Sequence, residues 1–303
     1  MARYIVKRVL LAIVSIFVIC VITFFAMNAI PGGPFNSEKA LSEATKAALE
    51  ARYNLDKPVP VQFVLYMKNL LHGDFGISTK TGREISTTLI NCFKVSARLG
   101  LTAAVCAIIS GVILGAIAAL FRNRLPDRII VFFTTLFTAM PSFVFATFLL
   151  LVFCIQLKLL PVFDASSRSY VLPVIALMAY PMAYVTRLTK TSMLDALNQD
   201  YIRTARAKGV ATIWVIFKHA LRNALIPVIT YVGPMLAYIL TGSLVVENIF
   251  TIGGLGQQFV KGIQNRDYPM IMATTIFLAI VMVICNLLSD IMYKVVDPRI
   301  TLD

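Results

Sequence analysis

Apolar and polar positions fall along this chain in long blocks rather than short alternations. Six stretches are almost wholly apolar: residues 9–30, 99–121, 129–157, 171–185, 224–246 and 270–293. Most approach the roughly 20 residues that a helix needs to cross a bilayer core of about 30 Å. The first five carry no charged residue, and the sixth contains Asp290 near its end. The pattern therefore predicts an all-α, polytopic membrane protein with about six transmembrane helices.

The first run follows Arg3, Lys7 and Arg8, as a secretory signal would. It is longer than the roughly 7 to 15 apolar residues of a signal and offers no convincing small-x-small cleavage site before Pro31, so it reads as a retained first helix. Lysines and arginines in short loops are held on the cytoplasmic side during insertion. That rule places the N-terminus, the turn carrying Arg122, Arg124 and Arg128, the loop 186–223 and the tail 294–303 inside the cell. Both termini are then internal, and segment 31–98 lies outside.

Segment 31–98 has ordinary composition, with helix-like stretches at 37–53 and 61–71. Phe63, Leu65, Tyr66, Leu70 and Leu71 give it something to bury, which predicts an external helical subdomain between the first two spans. Prolines stand inside several runs: Pro141, Pro173, Pro181, Pro227 and Pro234. Each removes a helix hydrogen bond, which is tolerated in lipid only where neighbours or water satisfy the freed carbonyl. Gly111 and Gly115 form a small-xxx-small pair, which predicts a helix-packing seam.

Composition agrees with this picture. The chain is 58% hydrophobic and only 14% charged, well below the roughly 25% charged residues of soluble domains. A net charge of +13 could serve nucleic acid, but the basic residues sit between the apolar runs without interleaved stacking aromatics. They meet a membrane surface instead. Four of the five cysteines lie in apolar runs, no Cys-x-x-Cys occurs, and the two histidines, His72 and His219, are far apart, so neither a disulfide framework nor a zinc site is indicated. Asp290 lies at helical spacing from Lys294, and Glu247 sits at an external edge, so both read as capping or ion-pairing groups.

The most informative polar stretch is Asp200-Tyr-Ile-Arg-Thr-Ala-Arg-Ala-Lys-Gly209, followed by His219-Ala-Leu-Arg-Asn-Ala-Leu-Ile-Pro227. It reads as two short helices meeting near Gly209. A short amphipathic helix on the membrane surface can seat in a partner's groove or rest on anionic headgroups.

This stretch resembles the coupling loop of binding-protein-dependent permeases, whose pattern is Glu-Ala-Ala, three residues, Gly, and nine residues later an Ile-x-Leu-Pro-like stretch. Thr204, Ala205 and Gly209 match in register. Arg203 stands in place of Glu, and His219 to Arg222 replace Ile-x-Leu-Pro, as in the dipeptide, oligopeptide and nickel subfamily. The resemblance extends over the chain through Pro31-Gly-Gly-Pro34, Arg52-Tyr-Asn-Leu-Asp-Lys-Pro58, Gly73-Asp-Phe-Gly76, Pro141-Ser-Phe143, Val246-Glu-Asn-Ile-Phe250, Gly254-Leu-Gly256, Asn265-Arg-Asp-Tyr-Pro269 and Asp297-Pro-Arg299. Gly253 stands where the family commonly has Pro.

The resemblance implies the permease fold of type I ABC importers in a bacterial plasma membrane. It implies an importer of oligopeptides or dipeptides, with nickel chelate or glutathione as alternative cargo. The implied partners are a second homologous permease, two cytoplasmic ATPase subunits that bind ATP and Mg, and an extracytoplasmic peptide-binding protein. Tyr201, Arg203, Thr204, Ala205, Lys208 and Gly209 would couple to the ATPases, and Glu247, Gly254, Gly256 and Asp267 would meet the binding protein. The chain has no Gly-Lys dipeptide, so it lacks the phosphate-binding loop that needs Gly-Lys-Ser/Thr at a helix start. No catalytic residue and no cofactor of its own is expected. A secondary transporter would show midplane carboxylates or inverted halves, and a membrane enzyme would gather nucleophile and base; neither pattern is clear.

Overall fold

A computed structural model describes residues 2–30, 57–163 and 169–296. The expected helix at 37–53, the Pro31 and Arg52 motifs, Asp297-Pro-Arg299 and the side chain of Lys294 lie outside the described residues. Among those described the secondary structure is helical, with one isolated antiparallel bridge between Ile77 and Glu84. The helices are α1 (Ala2–Ala29), α2 (Val59–Leu71), α3 (Ile85–Leu120), α4 (Leu125–Ala139), α5 (Ser142–Leu149), α6 (Val171–Leu197), α7 (Asp200–Ala207), α8 (Thr212–Ala224), α9 (Ile226–Ile249), α10 (Leu255–Asn265) and α11 (Tyr268–Val296). A π-helical turn, Leu150–Gln156, continues α5, and a second, Val215–Leu221, forms the middle of α8.

Among the described residues, four helical stretches are long and apolar enough to cross a membrane: Val6–Ala29, Ile85–Leu120, Val171–Leu197 and Tyr268–Asp290. Two bent pairs bring the total to six if each counts as one span: Leu125–Ala139 with Ser142–Gln156, bent by 108°, and Thr212–Ala224 with Ile226–Leu240, bent by 46°. The first bend is local chemistry. Pro141 excludes the preceding residue from helical backbone, and Met140 is extended, with φ −83° and ψ 127°. The uncharged run 129–157 is thus two helices with a sharp corner rather than one rod. The apolar run ending at Val185 is likewise only part of α6, which continues unbroken through Arg187 and Lys190 to Leu197.

The chain forms two compact units. One comprises residues 1–95 with 253–283. Its core gathers Ile85, Leu89, Cys92, Leu255, Met270 and Ala273, with Phe75, Phe93 and Phe277 against them. Phe93 and Phe277 meet edge to face at 5.4 Å. The second aromatic cluster of this unit sets Phe63 of α2 against Phe17, Phe24 and Phe25 of α1, at 6.2, 5.3 and 5.7 Å.

The turn between α10 and α11 is fixed from within. Arg266 adopts a left-handed conformation at φ 54°, and the Asp267 N–H donates to the Gly262 carbonyl at 2.9 Å, which closes α10. The buried Asp267 carboxylate accepts from Ser78 Oγ, from the Thr79 N–H at 3.2 Å and from Thr79 Oγ at 3.1 Å. It ties the 76–85 hairpin to the α10–α11 turn. Asp267→Ala strands buried donors, at about 1–3 kcal/mol. Faster hydrogen exchange at residues 77–84 is the expected signature, with the exchange of α4 unchanged.

The other unit comprises residues 96–252 with 284–303. Its seam joins α3 to α6. A Cβ at Gly111 would lie 2.8 Å from Val185 Cβ, and one at Gly115 only 2.6 Å from both the Thr186 carbonyl oxygen and Thr189 Cβ. The two glycines therefore bring backbone against backbone, as the small-xxx-small spacing suggests. On another side of α6, Lys190 pairs with the buried Asp127 in the first turn of α4, which also accepts from the Asn123 N–H at 2.9 Å. An acidic group in a first helical turn also suits the helix dipole.

Candidate coupling element: a short helix anchored to the helix bundle

Helix α7 is amphipathic at the smallest scale, with Ile202 and Ala205 turned inward three residues apart. They join Ala119 of α3, Met193 and Ala196 of α6, and Val215, Ala220 and Ala224 of α8 in one buried cluster. Small residues dominate it, so the short helix sits close on its supports. Tyr201, Arg203, Thr204, Arg206 and Lys208 are exposed.

The exit from α7 is a Schellman arrangement. The Gly209 N–H donates to the Arg206 carbonyl at 3.0 Å and the Val210 N–H to the Ala205 carbonyl at 3.2 Å. Gly209 takes φ +75°, where any side chain is strained although the surrounding space is open. Val210 packs on the same cluster as Ala205, supplying the hydrophobic contact that accompanies such a cap. The Arg203–Asp200 pair at 3.4 Å is exposed on both sides and adds little stability.

The six expected coupling residues therefore divide. Tyr201, Arg203, Thr204 and Lys208 form the outward surface, Gly209 makes the turn, and Ala205 belongs to the anchor rather than the surface. Sequence reasoning missed Ile213, Trp214 and Phe217, all exposed on α8. Trp214 is the only tryptophan in the chain, and an exposed tryptophan beside basic residues is a signal the sequence does contain.

The four residues expected to meet a binding protein are placed differently from that expectation. Glu247 is fully buried, and its carboxylate accepts from Ser243 Oγ at 2.8 Å. Gly254, the N-cap position of α10, and Gly256 are buried, as is Asp267. A polar residue in a loop reads as surface, but Asp267 shapes its turn from inside. Arg266, Asn265, Gln264 and Lys261 are the exposed polar positions beside it.

The chain matches two families over nearly its full length. One, described as "Binding-prot-dependent transport system membrane comp, N-term", covers residues 1–100. The other, "Binding-protein-dependent transport system inner membrane component", covers residues 111–302. Among its relatives, the dipeptide transport system permease protein DppB of Bacillus subtilis is 47% identical, with 100% of this chain and 99% of that protein covered. The oligopeptide transport system permease protein OppB of Haemophilus influenzae is 40% identical, with 99% of each covered. The DppB of Lactococcus lactis is also 40% identical, over the whole of both chains.

Solved structures share the fold at low sequence identity. A chain of the MetNI methionine ABC transporter in inward-facing conformations superposes with a TM-score of 0.58 at 14% identity, covering 69% of this chain and 96% of that one. An amino acid ABC transporter chain gives 0.56 at 14% identity, with 69% and 94% covered. With apolar helices able to span a membrane and this family match, the chain belongs to the inner membrane components of binding-protein-dependent transport systems.

Proposed function

We propose that the chain is one permease subunit of an ATP-driven importer of dipeptides or oligopeptides, and that it forms half of the translocation path beside a second homologous permease. The observation that carries this reading is the coupling element. A helix with an exposed basic face is bolted by Ile202 and Ala205 to α3, α6 and α8, in a chain whose full-length relatives are named peptide permeases. A partner pushing on Tyr201, Arg203, Thr204 and Lys208 moves α7 only together with its supports. The displacement then passes along α6, held to α3 by the glycine seam and to α4 by Lys190 and Asp127.

The pushing partners are two cytoplasmic ATPase subunits, which bind ATP and Mg; the permease contributes no catalytic group. Both termini and segment 186–223 face the cytoplasm under the positive-inside rule, and spans near 9–30, 99–121, 129–157, 171–185, 224–246 and 270–293 form the membrane part. Segment 31–98 and the α10–α11 turn face a peptide-loaded binding protein. Arg266 and Asn265 are the surface positions there, with Asp267, Gly254 and Gly256 shaping the backbone beneath.

Reconstitution tests the reading. The chain copurified with its genetic neighbours, in liposomes with binding protein outside and ATP inside, takes up a labelled tripeptide, and uptake stops without ATP. Uptake by the chain alone, driven by a proton gradient, overturns it.

A further inference from the structure

Exposed positions on membrane helices differ in chemistry from one helix to another. On α3 the outward stripe is Leu101, Val105, Ile109 and Ile113, spaced by four and wholly apolar, as lipid requires. On α6 the exposed positions include Tyr180, Tyr184, Arg187 and Thr191, again at helical spacing, on a helix otherwise mostly buried. Helix α9 packs antiparallel beside it and adds Tyr231 and Tyr238. Tyr184 and Tyr231 stack at 4.3 Å and 32°, and Tyr180 and Tyr238 at 5.7 Å and 41°.

Chemistry sets this face apart from the apolar stripe of α3. Arg187 stands inside α6, one turn on from Tyr184 and two from Tyr180. A cation beside aromatic hydroxyls on an exposed helix face turns to water, protein or cargo rather than hydrocarbon. Arg187 donates to Thr138 Oγ and to the Thr134 carbonyl in the last turns of α4, just before the corner at Met140 and Pro141. One nitrogen of its fork makes both bonds, so the fork is positioned yet keeps further donors for a ligand.

We propose that this tyrosine and arginine face lines the permeant path, and that Arg187 receives the terminal carboxylate of a passing peptide. A planar guanidinium matches a carboxylate two bonds at a time. The paired tyrosine rings supply broad apolar contact that tolerates different side chains, and their hydroxyls can bond a peptide backbone. That combination suits cargo constant in its ends and backbone but variable in its side chains. The inference rests on the peptide-importer reading, and the experiment separates the two.

In the reconstituted complex, wild-type uptake of trialanine tests the importer reading alone. Arg187→Gln, with Arg187→Lys beside it, tests the inference: uptake of trialanine at limiting concentration should fall at least tenfold in the Gln variant and recover in part in the Lys variant. Uptake of trialanine amide, each value relative to wild type, should fall less than twofold. Equal losses for acid and amide, or no loss, overturn the assignment of Arg187.

A second readout needs no transport of the amide. In a background without the native cysteines, a charged, membrane-impermeant thiol reagent should modify Tyr184→Cys and Arg187→Cys but not Val105→Cys or Ile109→Cys. Trialanine delivered by the binding protein should slow modification of Tyr184→Cys, which retains Arg187, severalfold. Absence of modification of Tyr184→Cys and Arg187→Cys, or modification of Tyr184→Cys that trialanine leaves unchanged, overturns the proposal.

Discussion

Replacing Gly115 by valine is expected to remove the folded permease from the membrane fraction. The first added carbon alone would lie 2.6 Å from the Thr186 carbonyl oxygen and from Thr189 Cβ, and 3.1 Å from the Lys190 nitrogen. Two of these atoms are backbone, which cannot swing aside as a flexible side-chain end can. Relief requires α3 and α6 to separate along the seam that Gly111 continues one turn away. Overpacking of this kind typically costs about 1–3 kcal/mol and occasionally more, and a contact against backbone belongs at the upper end. Opening the seam also strains the ion pair from Lys190 to Asp127 and the cluster around Met193. The checks are the yield of monodisperse complex in detergent and its melting temperature, with Ile109→Val on the exposed side of α3 as the neutral control.

Ala205→Glu should break coupling without preventing insertion. Ala205 is 8% exposed among Met193, Ile202, Val215 and Ala220, so a carboxylate there is either buried without a partner or forces α7 outward. An uncompensated buried charge costs several kcal/mol. Undocking an eight-residue helix is the cheaper escape, and the helices long and apolar enough to span a membrane are left untouched. ATP hydrolysis by the complex should persist while peptide uptake falls tenfold or more. Tyr201→Ala, at an exposed position, should weaken the grip of the ATPases without loosening α7 from α6. The pair of variants separates anchor from surface by whether hydrogen exchange at residues 200–210 rises.

Much of this architecture is legible in the sequence because the bilayer imposes a simple rule. Long uncharged runs must be helices that satisfy their own backbone, and the stop at Gly209 is written in the one residue that accepts a left-handed turn without cost. What escapes is decided by partners distant along the chain. Asp267 reads as an exposed acid, yet its buried hydrogen bond is to Ser78, 189 positions away. The run 171–185 ends at Val185 in the sequence because Arg187 and Lys190 follow, but those charges find partners on α4 and the helix carries on. The corner at Met140 was signalled by Pro141, although its angle of 108° was not, since proline fixes local backbone and not the packing beyond it. The tyrosines at 180, 184, 231 and 238 stand in plain view inside apolar runs; only packing shows that two helices pair them on one face.

The claim on which the rest depends is that α7 presents its basic face to the cell interior. A single cysteine at Arg203, in a chain otherwise free of cysteine, measures this directly with a membrane-impermeant thiol reagent. The account predicts strong labelling in inside-out vesicles and none in intact cells or right-side-out spheroplasts; labelling from the outside would contradict it.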